Sequence, residues 1–340
     1  MSLVARLAVV LPVVALASLG ACSRPAEPSR PAPGAVSTSS SANEAPVQAR
    51  GEPRPATPGT ASSSSDIAAQ TDAGPPSREA RFVVPSEQRY DPPDPGPRPL
   101  LIVLHGLGAS GKLAFDALGS RAYGERTHSH VIAPDGTFDG HGRRFWNAVP
   151  ECCNFDARPV DDVARLTGLI DDAVATGSID VRRIQLVGLS NGGFMAHRLA
   201  CSLGDRLSAV VSVAGAAPLD ATLPCRLEPP LAVLEIHGDA DDVVRYQGGN
   251  LFDRKELPRH RSAKSTLELW GQRLGCSGKP AVSEHRDLLP SLPGAETEVL
   301  SYSSCSSGSA ALWTIHGGGH IPPLARIMNA LEPYLAAQHR

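Results

Sequence analysis

The chain has 340 residues, with 32 Lys or Arg against 35 Asp or Glu and a formal net charge of -3. There is no basic excess to draw it to nucleic acid, so no nucleic-acid partner is expected. Two domains would fit the length, but the first quarter is not built like a folded domain, and one globular unit is expected.

Residues 1–21 carry a single basic residue, Arg6, followed by an apolar run over 7–19. That run is too short to span a bilayer and has the form of a signal peptide. It ends in Leu19-Gly20-Ala21-Cys22, which resembles the bacterial lipobox, where the cysteine becomes the lipidated first residue. A conventional signal peptide cleaved near Ala21 is the alternative. Export is expected either way, as a cell-envelope lipoprotein or a secreted protein. Lipid on Cys22 would hold it at a membrane surface without spanning the membrane. Residues 22–79 are dominated by Pro, Ala, Ser, Gly and Thr and read as a disordered, extended tether, because ordering them would cost entropy with no core in return. The folded domain is expected over 80–340.

From about residue 80, strand-like apolar runs alternate with helical patterns, the mark of an α/β sheet. Strands are predicted over 81–84, over 100–104, ending in His105-Gly106-Leu107-Gly108, and over 131–133. Residues 160–175 place Val163, Leu166, Leu169, Ile170 and Val174 at helical spacing. A strand over 184–187, a helix over 193–203 and a buried strand over 207–213 follow. Another strand covers 231–236 and ends at His237-Gly238. A helix around 262–274, strands over 297–302 and 311–315, and a helix over 322–337 with proline at its start complete the chain. The fold class is a single α/β domain with a mostly parallel sheet flanked by helices. Ligands bind such sheets at the carboxyl ends of the strands, where the glycine-rich and polar motifs fall.

One of these motifs is Gly188-Leu189-Ser190-Asn191-Gly192, between a strand and a helix, which is the setting of a G-x-S-x-G nucleophile elbow. A serine nucleophile needs a base to take its proton and a carboxylate to orient that base. Candidates follow in the order serine, acid, histidine. His237-Gly238-Asp239-Ala240-Asp241-Asp242 offers three carboxylates, of which Asp241 is preferred because it lies on the turn beyond the strand, with Asp242 in reserve. His316-Gly317-Gly318-Gly319-His320 supplies the base, His320, on a loop after the last strand. Three glycines argue against a helix that would make His316 and His320 a metal pair, so neither a metal nor a cofactor is expected. His316 is expected to be packed or to act through another residue. Oxyanion donors are expected from the backbone N–H groups of Leu107 and Asn191.

If Cys22 carries lipid, Cys152, Cys153, Cys201, Cys225, Cys276 and Cys305 remain, an even number in an exported domain, so disulfides are expected. Six cysteines allow 15 connectivities. Cys276 with Cys305, and Cys201 and Cys225 with the vicinal pair, is the expectation, although the spacing does not impose it.

Together these motifs resemble the polyhydroxybutyrate depolymerase and feruloyl esterase group of α/β-hydrolases. The residues that carry the resemblance are Leu104-His105-Gly106, Phe145-Trp146-Asn147-Ala148, Cys152-Cys153, Val160-Asp161-Asp162-Val163, Gly188 to Gly193, Arg198 to Cys201, His237-Gly238 with Asp241, and Gly317 to His320. The resemblance supports Asp241 as the acid and implies that Trp146 and Asn147 lie near the substrate cleft. Two departures stand out. Asp239 replaces a common Thr and is expected to raise the pKa of one neighbouring carboxyl. Ile321-Pro322-Pro323 follows the histidine, which implies an altered cleft. The function expected is an exported serine esterase acting on feruloyl, acetyl or short hydroxyalkanoate esters, small or polysaccharide-linked. A serine peptidase on the same fold and a non-catalytic envelope binding lipoprotein are the alternatives.

Overall fold

The computed structural model describes residues 87–227 and 230–340. The strand expected over 81–84, the signal segment, Cys22 and the tether lie outside these residues. In chain order, β1 (Glu87–Tyr90), β2 (Arg98–Leu104), helices α1 (Gly111–Ala117) and α2 (Ser120–Thr127), and β3 (His130–Pro134) come first. A short ribbon of β4 (Thr137–Phe138) and β5 (Arg144–Phe145) leads to α3 (Asp162–Ala175), β6 (Ile179–Leu189), α4 (Asn191–Ser202), β7 (Ala209–Val213) and β8 (Leu231–Gly238). A second ribbon, β9 (Gly249–Asn250) and β10 (Arg259–His260), precedes α5 (Ala263–Arg273), β11 (Ala281–Arg286), β12 (Thr297–Ser301), β13 (Gly308–Ile315) and α6 (Leu324–Ala336).

Nine strands form one sheet in the order β1-β3-β2-β6-β7-β8-β13-β12-β11. The inner run from β3 to β13 is parallel, and β1, β12 and β11 pair antiparallel at its flanks. The inner strands read as mostly apolar runs because both faces are covered. In β2, Leu100, Ile102 and Leu104 face one apolar cluster, with Phe194 and Leu199 of α4, Ile170 of α3 and Trp270 of α5. Leu101 and Val103 face the other, with Phe115 of α1 and Ile327 and Leu331 of α6. Gln185 breaks the β6 run, and its amide donates to Leu335 O at 2.7 Å, tying the end of α6 to the sheet.

Three helices begin close to where the sequence placed them. Asp161 accepts from Ala164 N–H at the start of α3, Ser262 accepts from Ser265 N–H at the start of α5, and Pro323 precedes α6. Helices α1 and α2, strands β1 and β11 and the two short ribbons have no counterpart among the predicted elements.

The disulfides correct one expectation. Cys276 pairs with Cys305 as expected, but Cys201 pairs with Cys225, and the vicinal Cys152 and Cys153 are joined to each other. The cause is the length of α4. Cys152 lies beside the start of that helix, where its sulfur is 3.7 Å from Asn191 Nδ2. Cys201 lies ten residues further on, about 15 Å along the axis. The chain after β7 returns to that far end, where Arg226 N–H donates to Cys201 O at 2.7 Å and the Cys201 and Cys225 Cα atoms stand 4.0 Å apart.

Peptide mapping without reduction should recover Cys201 linked to Cys225 and Cys276 linked to Cys305. A crosslink from Cys201 to either vicinal cysteine would overturn this arrangement. Replacing Cys276 and Cys305 with Ser, which opens a 29-residue separation, should cost about 2 to 4 kcal/mol in a urea titration.

Candidate active site

Strand β6 ends at Leu189 and α4 begins at Asn191, so Ser190 alone makes the turn between them, at φ 53° and ψ -116°. A residue with a side chain is strained in that conformation. It is held by Ser190 N–H donating to Val213 O at 2.8 Å and Phe194 N–H donating to Ser190 O at 3.0 Å. A Cβ on Gly188 would meet the Gly192 carbonyl, and one on Gly192 would meet the Leu104 carbonyl. Both glycines are therefore required by how closely the turn folds on itself and on β2.

Strands β8 and β13 stay paired to Gly238 and Ile315. The pairing continues into the loops, with Asp239 N–H donating to Ile315 O at 3.1 Å and Ala240 N–H to Gly318 O at 3.0 Å. Asp241 and His320 thereby meet. His320 Nδ1 is 2.8 Å from Asp241 Oδ2, and His320 Nε2 is 3.0 Å from Ser190 Oγ. The other oxygen, Asp241 Oδ1, accepts from Val243 N–H at 2.8 Å and Val244 N–H at 2.9 Å. Burial by itself would raise the Asp241 carboxyl, but hydrogen bonds from His237 and His320 outweigh it and hold the group well below the usual carboxylate range. Such a chain of contacts can draw a proton from the serine hydroxyl and stabilise the imidazolium that results.

Two expectations change here. Asp239 does not raise the Asp241 carboxyl, which instead moves down. The Asp239 carboxylate turns to Gly317 N–H at 2.7 Å and His316 Nδ1 at 2.8 Å. His316 is exposed in this pair rather than packed inside. The cause is that β13 ends at Ile315, so His316 has already left the sheet.

On the opposite side, Gly106 approaches Ser190 so closely that a Cβ on it would lie 3.4 Å from the serine Cβ. His105 Nδ1 is 2.7 Å from Gly106 O, and Gly136 N–H donates to His105 Nε2 at 2.8 Å. One ring nitrogen must donate and the other accept, so the ring is neutral with its proton on Nδ1. Burial agrees, pushing this imidazole down to about 4. Ala109 N–H also donates to Gly106 O, at 3.1 Å. In a planar trans peptide this aims the Leu107 N–H away from those two donors. The N–H of Asn191, the first residue of α4, is one that a helix start leaves without an intrahelical acceptor.

The sequence pattern of the phospholipase/carboxylesterase family matches residues 90–258. The chain is 30% identical over 242 residues to NocK of Nocardia uniformis subsp. tsuyamanensis, which carries an esterase name, covering 67% of both chains. The chain belongs to the esterase-like α/β-hydrolases. It is a carboxylic-ester hydrolase. It is also 30% identical over 184 residues to feruloyl esterase B of Piromyces equi, covering 52% of this chain and only 31% of that one. The acetyl xylan esterase from Aspergillus awamori shares the fold, with a TM-score of 0.53 at 13% identity over 73% of this chain and 93% of its own.

Trp146 does not line a cleft in this esterase. It is fully buried, and its Nε1–H donates to His105 O at 2.9 Å. Its backbone N–H donates to Asn191 Oδ1 at 2.7 Å, and Asn191 Nδ2 donates back to Trp146 O at 3.0 Å. Trp146 therefore ties the Gly106 loop to the start of α4 from behind. Asn147 is half-buried, bonded through Asp162 and Val160. It lines a cavity of about 770 Å³ with Glu151, Arg198 and Asp220, and neither Ser190, Asp241 nor His320 lines that cavity. A smaller cleft of about 490 Å³ opens against Leu107 and is lined by Phe155, Phe252, Leu257, His141, Arg143 and Arg254.

Sequence reading passed over the partners of Asp241 inside the fold. Glu235 and His237 lie two apart on β8, on one face of a wholly buried strand. Two polar residues at period two within an apolar run were the available signal.

Replacing Trp146 with Phe removes the bond to a buried carbonyl and should cost about 1 to 3 kcal/mol of stability in a urea titration, with little change in KM for a small ester. His105 titrates at about 4 when folded and near 6.5 when unfolded. Between those values only the unfolded chain takes up the proton, so this group's stability contribution is full above pH 6.5 and is lost as pH falls toward 4. Urea midpoints at pH 7 and pH 5 should drop less for His105→Gln than for the parent.

Proposed function

We propose that the protein is an exported serine esterase that hydrolyses short acyl or hydroxycinnamoyl esters, small or polysaccharide-linked, through an acyl-enzyme. The observation that carries this reading is the unbroken chain from Ser190 Oγ through His320 to Asp241, with contacts of 3.0 and 2.8 Å. Ser190 Oγ attacks the ester carbonyl carbon as its proton passes to His320 Nε2. Asp241 holds the imidazole in the tautomer that leaves Nε2 free, and its charge faces the imidazolium that forms. The N–H groups of Leu107 and Asn191 receive the negative charge on the former carbonyl oxygen. His320 then returns the proton to the departing alkoxide, and the acyl group stays on Ser190. Water repeats the sequence, giving its proton to His320 and its oxygen to the acyl carbon, and Ser190 is restored.

The cleft beside Leu107 supports an aryl or short alkyl acyl group, since Phe155, Phe252 and Leu257 offer apolar surface next to the oxyanion loop. Names of relatives point the same way, toward feruloyl and acetylxylan esters. Short hydroxyalkanoate esters share that chemistry. Three disulfides among the described residues suit an exported protein, and Cys22 would carry the lipid that holds it at a membrane surface.

Ser190→Ala should lower kcat on methyl ferulate or p-nitrophenyl acetate by roughly 10,000-fold or more and abolish fluorophosphonate labelling. Parent-level turnover by this variant would overturn the reading. Amide turnover rivalling ester turnover would assign the site to a peptidase. Metabolic labelling with a palmitate analogue should disappear in Cys22→Ser, and persistence of the label would refute the anchor.

A further inference from the structure

We infer that His237 is a positioning residue for the reaction, holding the Asp241 carboxylate from the side opposite His320 as a cation clamped between Asp241 and Glu235. The inference rests on the roles proposed above for Ser190, His320 and Asp241. It begins from an anomaly of burial. Every residue of β8 is buried, and a carboxylate and an imidazole share one face of it. Burying a charge is costly unless it is paired and hydrogen-bonded.

The partners define the protons. Trp270 Nε1–H can only donate, and it meets His197 Nδ1 at 3.0 Å, so Nδ1 carries no proton and Nε2–H donates to Glu235 Oε2 at 2.9 Å. Glu235 Oε1 lies 3.0 Å from His237 Nδ1. On its other side, His237 Nε2 lies 2.7 Å from Val244 O and 3.2 Å from Asp241 Oδ2. Both carboxyls are held below their ordinary range and so ionised, which makes all three atoms around the His237 ring acceptors. Both of its nitrogens must therefore carry protons, making it an imidazolium. Burial would pull this ring down, but its hydrogen bonds to Asp241 and Glu235 outweigh it and push it up to about 9. Glu235 is held below its ordinary value in the same way, burial opposing and the bonds from His197 and His237 prevailing.

The remaining groups around the ring are few. Tyr246 meets it edge-on at 5.8 Å with its hydroxyl bonded to Thr314, and buried His260 senses its charge. Asp239 is turned toward His316 and Gly317. The described chain is thus Trp270, His197, Glu235, His237, Asp241, His320 and Ser190, running from α5 to the nucleophile.

Asp241 Oδ2 serves two histidines, so part of its charge is already answered when His320 takes up a proton. Without the His237 cation, Asp241 would face His320 with its charge less compensated. The protonated form of the site would be favoured, and the acid limb of kcat/KM would move to higher pH. The carboxylate would also lose one of its tethers, and a small misplacement of the reacting groups can cost on the order of 100-fold in rate.

The test compares the parent, His237→Gln and the double variant Glu235→Gln/His237→Gln on methyl ferulate across pH. The double variant keeps the net charge of the buried group, since Glu235, His237 and Asp241 sum to -1 in the parent and Asp241 alone gives -1 in the variant. Both should fall in kcat by roughly 10- to 100-fold with KM within about two-fold, and His237→Gln should show the acid limb displaced upward. A folded His237→Gln with parent kcat and pH profile overturns the proposal. So does a double variant restored to parent kcat and profile, since His237 would then only balance Glu235. Should the variants fail to fold, nitrogen-15 histidine spectra of the parent decide: both His237 nitrogens should stay protonated at pH 7.5, and a neutral ring there overturns the clamp. Failure of the Ser190 reading is separate, because it would appear as activity in Ser190→Ala.

Discussion

The parallel pairing of β8 with β13 continues past the ends of both strands, and the candidate site depends on that continuation. Gly238 lies so close to Gly318 that a side chain there would strike the Gly318 carbonyl. Backbone bonds from Asp239 and Ala240 then close the two loops together. Two residues 79 apart in the chain, Asp241 and His320, become neighbours through this pairing. Ser190 reaches the same point independently, from the turn between β6 and α4. A parallel sheet makes this possible because all its carboxyl ends lie on one edge.

Charge at the site is set by the hydrogen-bonding character of immediate neighbours more than by depth. His105 and His237 are both buried histidines at the ends of strands. His105 faces one acceptor and one donor and stays neutral, while His237 faces three acceptors and holds two protons. Desolvation acts on both in the same direction, yet their pKa values move apart, to about 4 and about 9. The partners decide the sign once solvent is excluded.

Much of the architecture was legible because the inner strands are covered on both faces and their residues read as mostly apolar runs. The Ser190 turn was legible for a different reason: the steric demands at Gly188 and Gly192 are local and admit few residues. What escaped had weak or nonlocal signals. Helices α1 and α2 are only seven and eight residues long, too short for periodicity to stand out. Strand β11 is an edge strand whose residues are mostly exposed, so it has no apolar run to betray it. Trp146 sits in a motif that suggested a cleft, but its indole points back toward the His105 carbonyl, and nothing in its sequence neighbours says so. Phe252 and Phe155 come to the same cleft from loops nearly a hundred residues apart.

The sequence by itself determined the class of fold, the strained turn at Ser190 and the order of the candidate serine, acid and histidine. These follow from short-range facts: side-chain period, glycine sterics and the placement of polar residues after apolar runs. Only the tertiary structure decided which cysteine meets which, which way Trp146 faces and which groups stand behind Asp241. Those depend on distances across α4 and across neighbouring strands, and spacing along the chain carries no record of such distances.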